Sequence, residues 1–250
     1  MIVSEIWRYP IKSLGAERIS GVELHQNRTL PWDRVWALLH KESRADINDP
    51  KWMNCRAFLR GAVAPLFSAV NAKFDEKSGV LLLTHPKLKS LTLNMFDREV
   101  HEKLLEWVVP LCPEANPEPL CIYELNNRGI TDTDYPSVSI NSKSSLQALS
   151  EIAGDKLNTR RFRGNIWLED LDPWVEFDWQ GKKLLIGESV LEVVEPIKRC
   201  NTTKTNTKTG IRDIDILSLL QNSYGHKNFG VYCKVVKGGK IYQDSIATFL

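Results

Sequence analysis

The stretch Val190-Leu191-Glu192-Val193-Val194-Glu195-Pro196-Ile197-Lys198-Arg199-Cys200-Asn201-Thr202-Thr203 begins as a strand and ends as a polar loop. The β-branched residues of Val190–Val194 suit a pleated surface. Pro196 has no amide to donate to a ladder, so the strand is expected to stop there and release the loop. Cys200 follows two cations directly, an arrangement that favours the thiolate over the thiol. From Cys200 to Gly210 the loop is crowded with hydroxyls and lysines, which suit contacts to an anion. Composition alone fits a solvated turn with an incidental cysteine equally well.

Outward from this stretch, further strands are expected at Asn165–Glu169, Lys183–Ile186 and Phe229–Val236. A helix is predicted over 142–152, where Leu146, Leu149 and Ile152 recur three apart and Gly154 supplies the stop. A second is predicted over 213–220, with Ile214, Leu217 and Leu220 on one face and acids in its first turn. Earlier in the chain, Ile2, Ile6, Val22, Leu24, Val35, Ala37, Leu39 and the run Val80–Leu83 fit short strands, and Trp7, Trp32, Trp36 and Trp52 supply apolar area to the same half. Asp97 can cap a helix carrying Val100, Leu104 and Val108. Four prolines between Pro110 and Pro119 exclude helix and central strand, so this stretch is expected to connect two halves, 1–119 and 120–250. Strands dominate and no βαβ alternation repeats. The expected fold is mainly β (α+β), a closed or nearly closed barrel with peripheral helices, preceded by a β-rich, barrel-like N-terminal domain.

Composition narrows the function. The 33 Lys and Arg against 31 Asp and Glu leave a net charge of +2, which argues against a bulk polyelectrolyte. The start of the chain lacks a secretory pattern, and no apolar run is long enough for a membrane span, so the chain reads as cytoplasmic. The five cysteines, at 55, 112, 121, 200 and 233, form no CxxC pair, which argues against a disulfide framework, a zinc ribbon or an iron–sulfur cluster. The five histidines stand singly, without ligand spacing. Arg160-Arg161-Phe162-Arg163 could hold a phosphate or stack on a single strand of nucleic acid. With no RNP-like repeat and no excess charge, nucleic acid is not the expected partner.

Two more segments complete the pattern, Tyr9-Pro10-Ile11-Lys12-Ser13 and Trp32-Asp33-Arg34-Val35-Trp36. Taken in order with Arg161-Phe162-Arg163-Gly164-Asn165-Ile166 and with Arg199-Cys200, Thr203 and Thr209-Gly210, they resemble the MOSC superfamily. More closely, they resemble the branch with an N-terminal MOSC β-barrel domain, which includes the mitochondrial amidoxime-reducing component and bacterial relatives. The likeness spans nearly the whole chain. It implies a molybdenum cofactor (molybdenum bound to molybdopterin) between the two halves, with Cys200 as ligand to the metal. Lys12, Ser13, Arg34, Ser142, Arg160, Arg163, Asn165, Lys198, Arg199 and Thr203 would hold the pterin and its phosphate.

The implied activity is reduction of small N-hydroxylated compounds. The ferredoxin-like cysteine cluster of some bacterial relatives is missing from these 250 residues, which implies a separate electron donor: a flavoprotein, ferredoxin or cytochrome. Two other readings stay open, a sulfur carrier with a persulfide on Cys200 and a non-enzymatic cofactor-binding protein. Three departures from the family pattern stand out. Gly164 replaces a common proline, Asn206 a common aspartate, and Lys198 a residue that is small in the animal enzymes. Whether Asp33 meets ligand or only orients Arg34 is open at this level, and the other four cysteines are assigned to packing.

Overall fold

The computed structural model describes residues 1–114, 117–125 and 128–250. The strands of the first half are β1 (Ile2–Arg8), β2 (Glu17–Ile19), β3 (Gly21–Leu24), β4 (Trp36–His40), β5 (Asn71–Phe74), β6 (Val80–His85) and β7 (Leu88–Asn94). Helix α1 (His101–Val108) and strand β8 (Pro119–Glu124) follow. The second half contains β9 (Val138–Ser142), α2 (Lys143–Ala153), β10 (Ile166–Glu169), β11 (Lys183–Ile186) and β12 (Ser189–Lys198). It ends with α3 (Ile216–Tyr224), β13 (Asn228–Lys237), β14 (Gly239–Tyr242) and β15 (Ala247–Phe249).

One eight-stranded sheet, ordered β15-β11-β12-β13-β9-β10-β1-β2, forms the main body. It curls until its two sides meet, because Ile2 bridges Ile246 and the main chain of Val3 exchanges hydrogen bonds with residues 244 and 245. Closure removes the exposed edge that an open sheet would present. Alternate residues point inward, and Val138, Ile140, Leu191, Val193, Val231, Cys233 and Val235 form the core with Val3 and Ile6 from β1. The fold is the mainly β, barrel-like architecture expected, with α2 and α3 on its outside.

The first half builds its own core on the three-stranded β5-β6-β7 sheet and the β4-β8 pair, closed by α1. Asp97 accepts from the Glu99 amide, and Leu104 and Val108 of α1 are buried. The halves interleave. β1 lies antiparallel to β10, and β3 pairs with β14, so residues 2–24 are ordered by strands of the second half. Trp7 accordingly packs with α2 and α3 rather than with Trp32 and Trp36.

Four local expectations need correction. β12 does not stop at Pro196 but runs to Lys198, with register shifts at Val193/Glu195 and Pro196/Lys198. Its pairing with β11 ends at Glu192, so Pro196 stands where no neighbour on that side asks for its missing donor. The helix predicted from 213 starts at Ile216, because the Asp215 carboxylate accepts from the Ser218 amide and caps it there. Ile152 of α2 is 43% exposed, and the buried face is Leu146 and Leu149. In the proline-rich stretch, Pro110 lies in a 3₁₀ turn and Pro119 opens β8, while Ala115 and Asn116 lie outside the described residues. Among the described residues, no helix is long and apolar enough to cross a membrane.

Candidate cofactor-binding cleft

The end of β12 carries Lys198 and the turn at Cys200 to the top of the barrel. The Arg199 amide bonds to the Lys227 carbonyl, and the Thr203 hydroxyl donates to the Cys200 carbonyl at 2.9 Å. Cys200 is exposed, with Sγ 3.4 Å from the Thr202 hydroxyl. Facing this turn, a 3₁₀ segment over Thr159–Phe162, capped by Asn158, ends at Arg163 with a φ of 48°. From the other half come Lys12, whose amide bonds to Trp36, and Ser13 and Arg34 at φ of 66° and 56°. A side chain other than glycine is rarely held at positive φ unless its surroundings fix it. Ser13, Arg34 and Arg163 are thus held by turns that their surroundings fix. Together these segments form an open cleft, which Cys55, Arg60 and Ala62 wall from the first half.

The charge in the cleft is lopsided. Among the described residues, Lys12, Arg34, Arg60, Arg161, Arg163, Lys198 and Arg199 line it against the single carboxylate of Asp132. Lys12 is buried and donates to Asp132 at 2.5 Å and to the Ile130 carbonyl at 2.8 Å. The position of Asp132 among the packed cleft walls works to raise its pKa although its side chain is 59% exposed, and Lys12, then Arg34 and Arg163, hold it below the ordinary range. Arg34 pairs with Asp33 and donates to the Arg163 carbonyl at 2.8 Å. Arg34 and Arg163 both lie over the ring of buried Tyr9, at 4.9 and 4.3 Å from its centroid. Among the described residues, Arg163 has only the carbonyls of Gly15 and Ile11 as acceptors. Burial, and then the like charge of Arg34, pull its pKa below the usual value. Arg199 is held by the Phe229 and Phe162 carbonyls and Asn141, and burial lowers its pKa also. Desolvated cations without acids favour a bound anion.

Of the residues singled out in the sequence, Lys12, Ser13, Arg34, Arg163, Asn165, Lys198, Arg199, Cys200 and Thr203 line this one cleft. Asn165 lines it with its amide already engaged by Ser139 and Trp7. Ser142 and Arg160 lie outside it. The Ser142 hydroxyl accepts from the Ser145 amide and caps α2, and Arg160 reaches across to Asn71 and the Val70 carbonyl. Asp33 is fully buried, accepts from the Tyr9 amide and orients Arg34 from behind. Arg161, named in the arginine segment but not among the cofactor contacts, lines the cleft and grips Asp213 with both nitrogens, and sequence reasoning missed Asp132, Ser139 and Tyr232. Ser139 and Tyr232 were legible from strand alternation, since their neighbours Val138, Ile140, Val231 and Cys233 all face the core.

Among the described residues, no three His, Cys, Asp or Glu side chains converge on a point. A metal at Cys200 would thus come with ligands of its own. A soft thiolate next to buried cations suits a metal on an anionic organic carrier, which is the donor set of a molybdenum–pterin group.

A family model described as "MOSC N-terminal beta barrel domain" matches residues 1–109, and one described as "MOSC domain" matches residues 128–246. The chain belongs to the MOSC domain family, in the branch that carries the N-terminal barrel domain. Over 73 residues, 29% of its length, it is 37% identical to a molybdenum cofactor sulfurase of Anopheles gambiae, and that match spans only 9% of the mosquito protein. Among solved structures, the YUAD protein of Bacillus subtilis aligns over 98% of this chain and 93% of its own, with a TM-score of 0.46 and 8% identity. YiiM from Geobacillus stearothermophilus aligns over 45% of this chain and 53% of its own, with a TM-score of 0.36 and 17% identity.

Proposed function

We propose that the cleft binds a molybdenum–pterin cofactor through Cys200, and that the protein reduces N-hydroxylated compounds with electrons from a separate donor protein. The observation that carries this reading is the placement of an exposed thiol in one cleft with Lys12, Arg34 and Arg163, cations from both halves. Arg34 and Arg163 suit the phosphate end, with Lys12, Ser13 and Asn165 beside them. When bound, the cofactor supplies two-electron redox chemistry and oxygen-atom transfer, while the protein supplies position and electrostatics. Tyr9 sets the spacing of the two stacked guanidiniums, and Asp33 fixes Arg34. Thr203 and Arg199 hold the turn that presents the sulfur.

The test is elemental analysis of protein made in a host that synthesises the cofactor, beside Cys200→Ser and Arg163→Gln. Stoichiometric molybdenum is expected in the wild type, with reduced occupancy in Arg163→Gln. Reduction of benzamidoxime by reduced methyl viologen is expected to vanish in Cys200→Ser. Wild-type protein without molybdenum, or a serine variant that turns over normally, refutes the reading. The stretch of similarity to a molybdenum cofactor sulfurase favours a second reading, in which Cys200 carries a persulfide for sulfur delivery. Intact-mass measurement separates the two, because a persulfide adds one sulfur to Cys200 and no metal.

A further inference from the structure

Arg60 and the exposed Lys198 are set apart from the other cations of the cleft by what they lack. Lys12, Arg34 and Arg161 each have an acid, and Arg163 and Arg199 spend their donors on carbonyls. Among the described residues, the Arg60 guanidinium has neither, although it is half-buried and lines the cleft. Its main chain is fixed. The Leu59 amide bonds to Leu38 of β4, and the Arg60 carbonyl accepts from the amides of Val63 and Ala64 at 3.0 and 2.8 Å. A Cβ built on Gly61 would lie 3.0 Å from Cγ2 of Thr202. The loop carrying Arg60 therefore packs on the same turn that presents Cys200, whose sulfur is 3.4 Å from the Thr202 hydroxyl. The pair over Tyr9, Arg34 and Arg163, is carried by other segments, the Arg34 turn and the turn that ends Thr159–Phe162.

We infer that Arg60 receives an anionic substituent of the substrate, a carboxylate or a phosphate, beside Cys200. The guanidinium fork matches either group with two parallel hydrogen bonds. Its fixed main chain lowers the ordering cost of making them. The protein is thus selective for N-hydroxylated compounds that carry a negative charge. This rests on the reductase reading given above.

The test uses cofactor-loaded wild type, Arg60→Gln and Arg60→Lys with reduced methyl viologen as donor. The substrates are benzamidoxime, its 4-carboxylate, N-hydroxycytidine and N-hydroxycytidine 5′-monophosphate. In the wild type the charged member of at least one pair has the lower KM, and the carboxylate and phosphate pairs show which anion is read. In Arg60→Gln that advantage falls roughly tenfold or more, the loss of a charge-assisted hydrogen bond, and Arg60→Lys restores part of it. Molybdenum content and the KM of the neutral compounds are unchanged. Charged and neutral substrates shifting together, or a fall in molybdenum content, overturns the inference. Should the protein reduce none of these compounds, the reductase reading fails by itself. Calorimetric titration of the loaded protein with 4-amidinobenzoate, benzamidine and cytidine with and without its 5′-phosphate then decides the matter. Tighter binding of a charged member, lost in Arg60→Gln, supports the anion site, and equal affinities in both proteins overturn it.

Discussion

Replacing Asp33 by asparagine tests the electrostatic frame of the cleft. Asp33 has no exposed surface, and the Arg34 side chain paired with it is 14% exposed. Burial alone would weaken the Arg34 charge, but Asp33 and then Tyr9 hold its pKa above the ordinary value. The side-chain carbonyl that Asp33→Asn introduces could still accept from the Tyr9 amide, so the change removes charge and little else. Breaking a buried pair from one side costs about 3–5 kcal/mol, and the retained acceptor places this case near about 3 kcal/mol. In a chain of this size that lowers the melting temperature by about 6–12 °C. Arg34 and Arg163 would then face each other over Tyr9 with only the Lys12-bound Asp132 as counter-charge, so phosphate should stabilise the variant more than the wild type. The assay is thermal and urea unfolding of wild type, Asp33→Asn, Arg34→Gln and the double variant, with and without phosphate. A single-variant loss under about 1 kcal/mol, or strict additivity in the cycle, refutes the pairing as the organiser of the site.

Glu176 is fully buried, bound to the Ser145 hydroxyl at 2.9 Å, and burial pushes its pKa from 4.5 up to about 7. Its folded state holds the proton more tightly, so its contribution to stability is complete below 4.5 and is lost as pH rises through 7; Glu176→Gln should flatten urea stability between about pH 5 and 8. Gly164→Ala places a Cβ 2.0 Å from Nδ2 of Asn141, the residue that orients Arg199, and should destabilise by about 1–3 kcal/mol in thermal melts. Partial rescue by Asn141→Ser would identify that clash as the cause. With iodoacetamide and peptide mapping, Cys200 should label first. Cys112, raised to about 11 by burial, should lag, and fully buried Cys233 should label only on unfolding.

The barrel was legible because its inward residues alternate with period two and its first helix carries its own stop, Gly154, whereas Ser142, assigned to the cofactor, caps that helix instead. Long-range pairing was not. Nothing near Ile2–Arg8 says that its partners are Ile166–Glu169, so Trp7 was assigned to the wrong half. Adjacent arginines on a tight turn defeat sequence reading for a geometric reason. Arg160 and Arg161 point to opposite sides of one 3₁₀ turn, and only the second faces the cleft. Proline misled at 196, since its effect depends on whether a neighbouring strand asks for the absent donor. The loop at 54–62 carried no signal at all. Arg60 matters only because Gly61 lets that loop settle against Thr202, more than a hundred positions away.

The seam at Ile2 and Ile246 bears on synthesis. Strand β1 leaves the ribosome before both of its neighbours and must wait for residues near 166 on one flank and near 245 on the other. Until then Val3 and Ile6 have no core to enter, and contacts this distant in sequence form slowly. Shielding by a chaperone during translation should raise the yield of folded protein, and a circular permutant that moves β1 behind β15 should need it less.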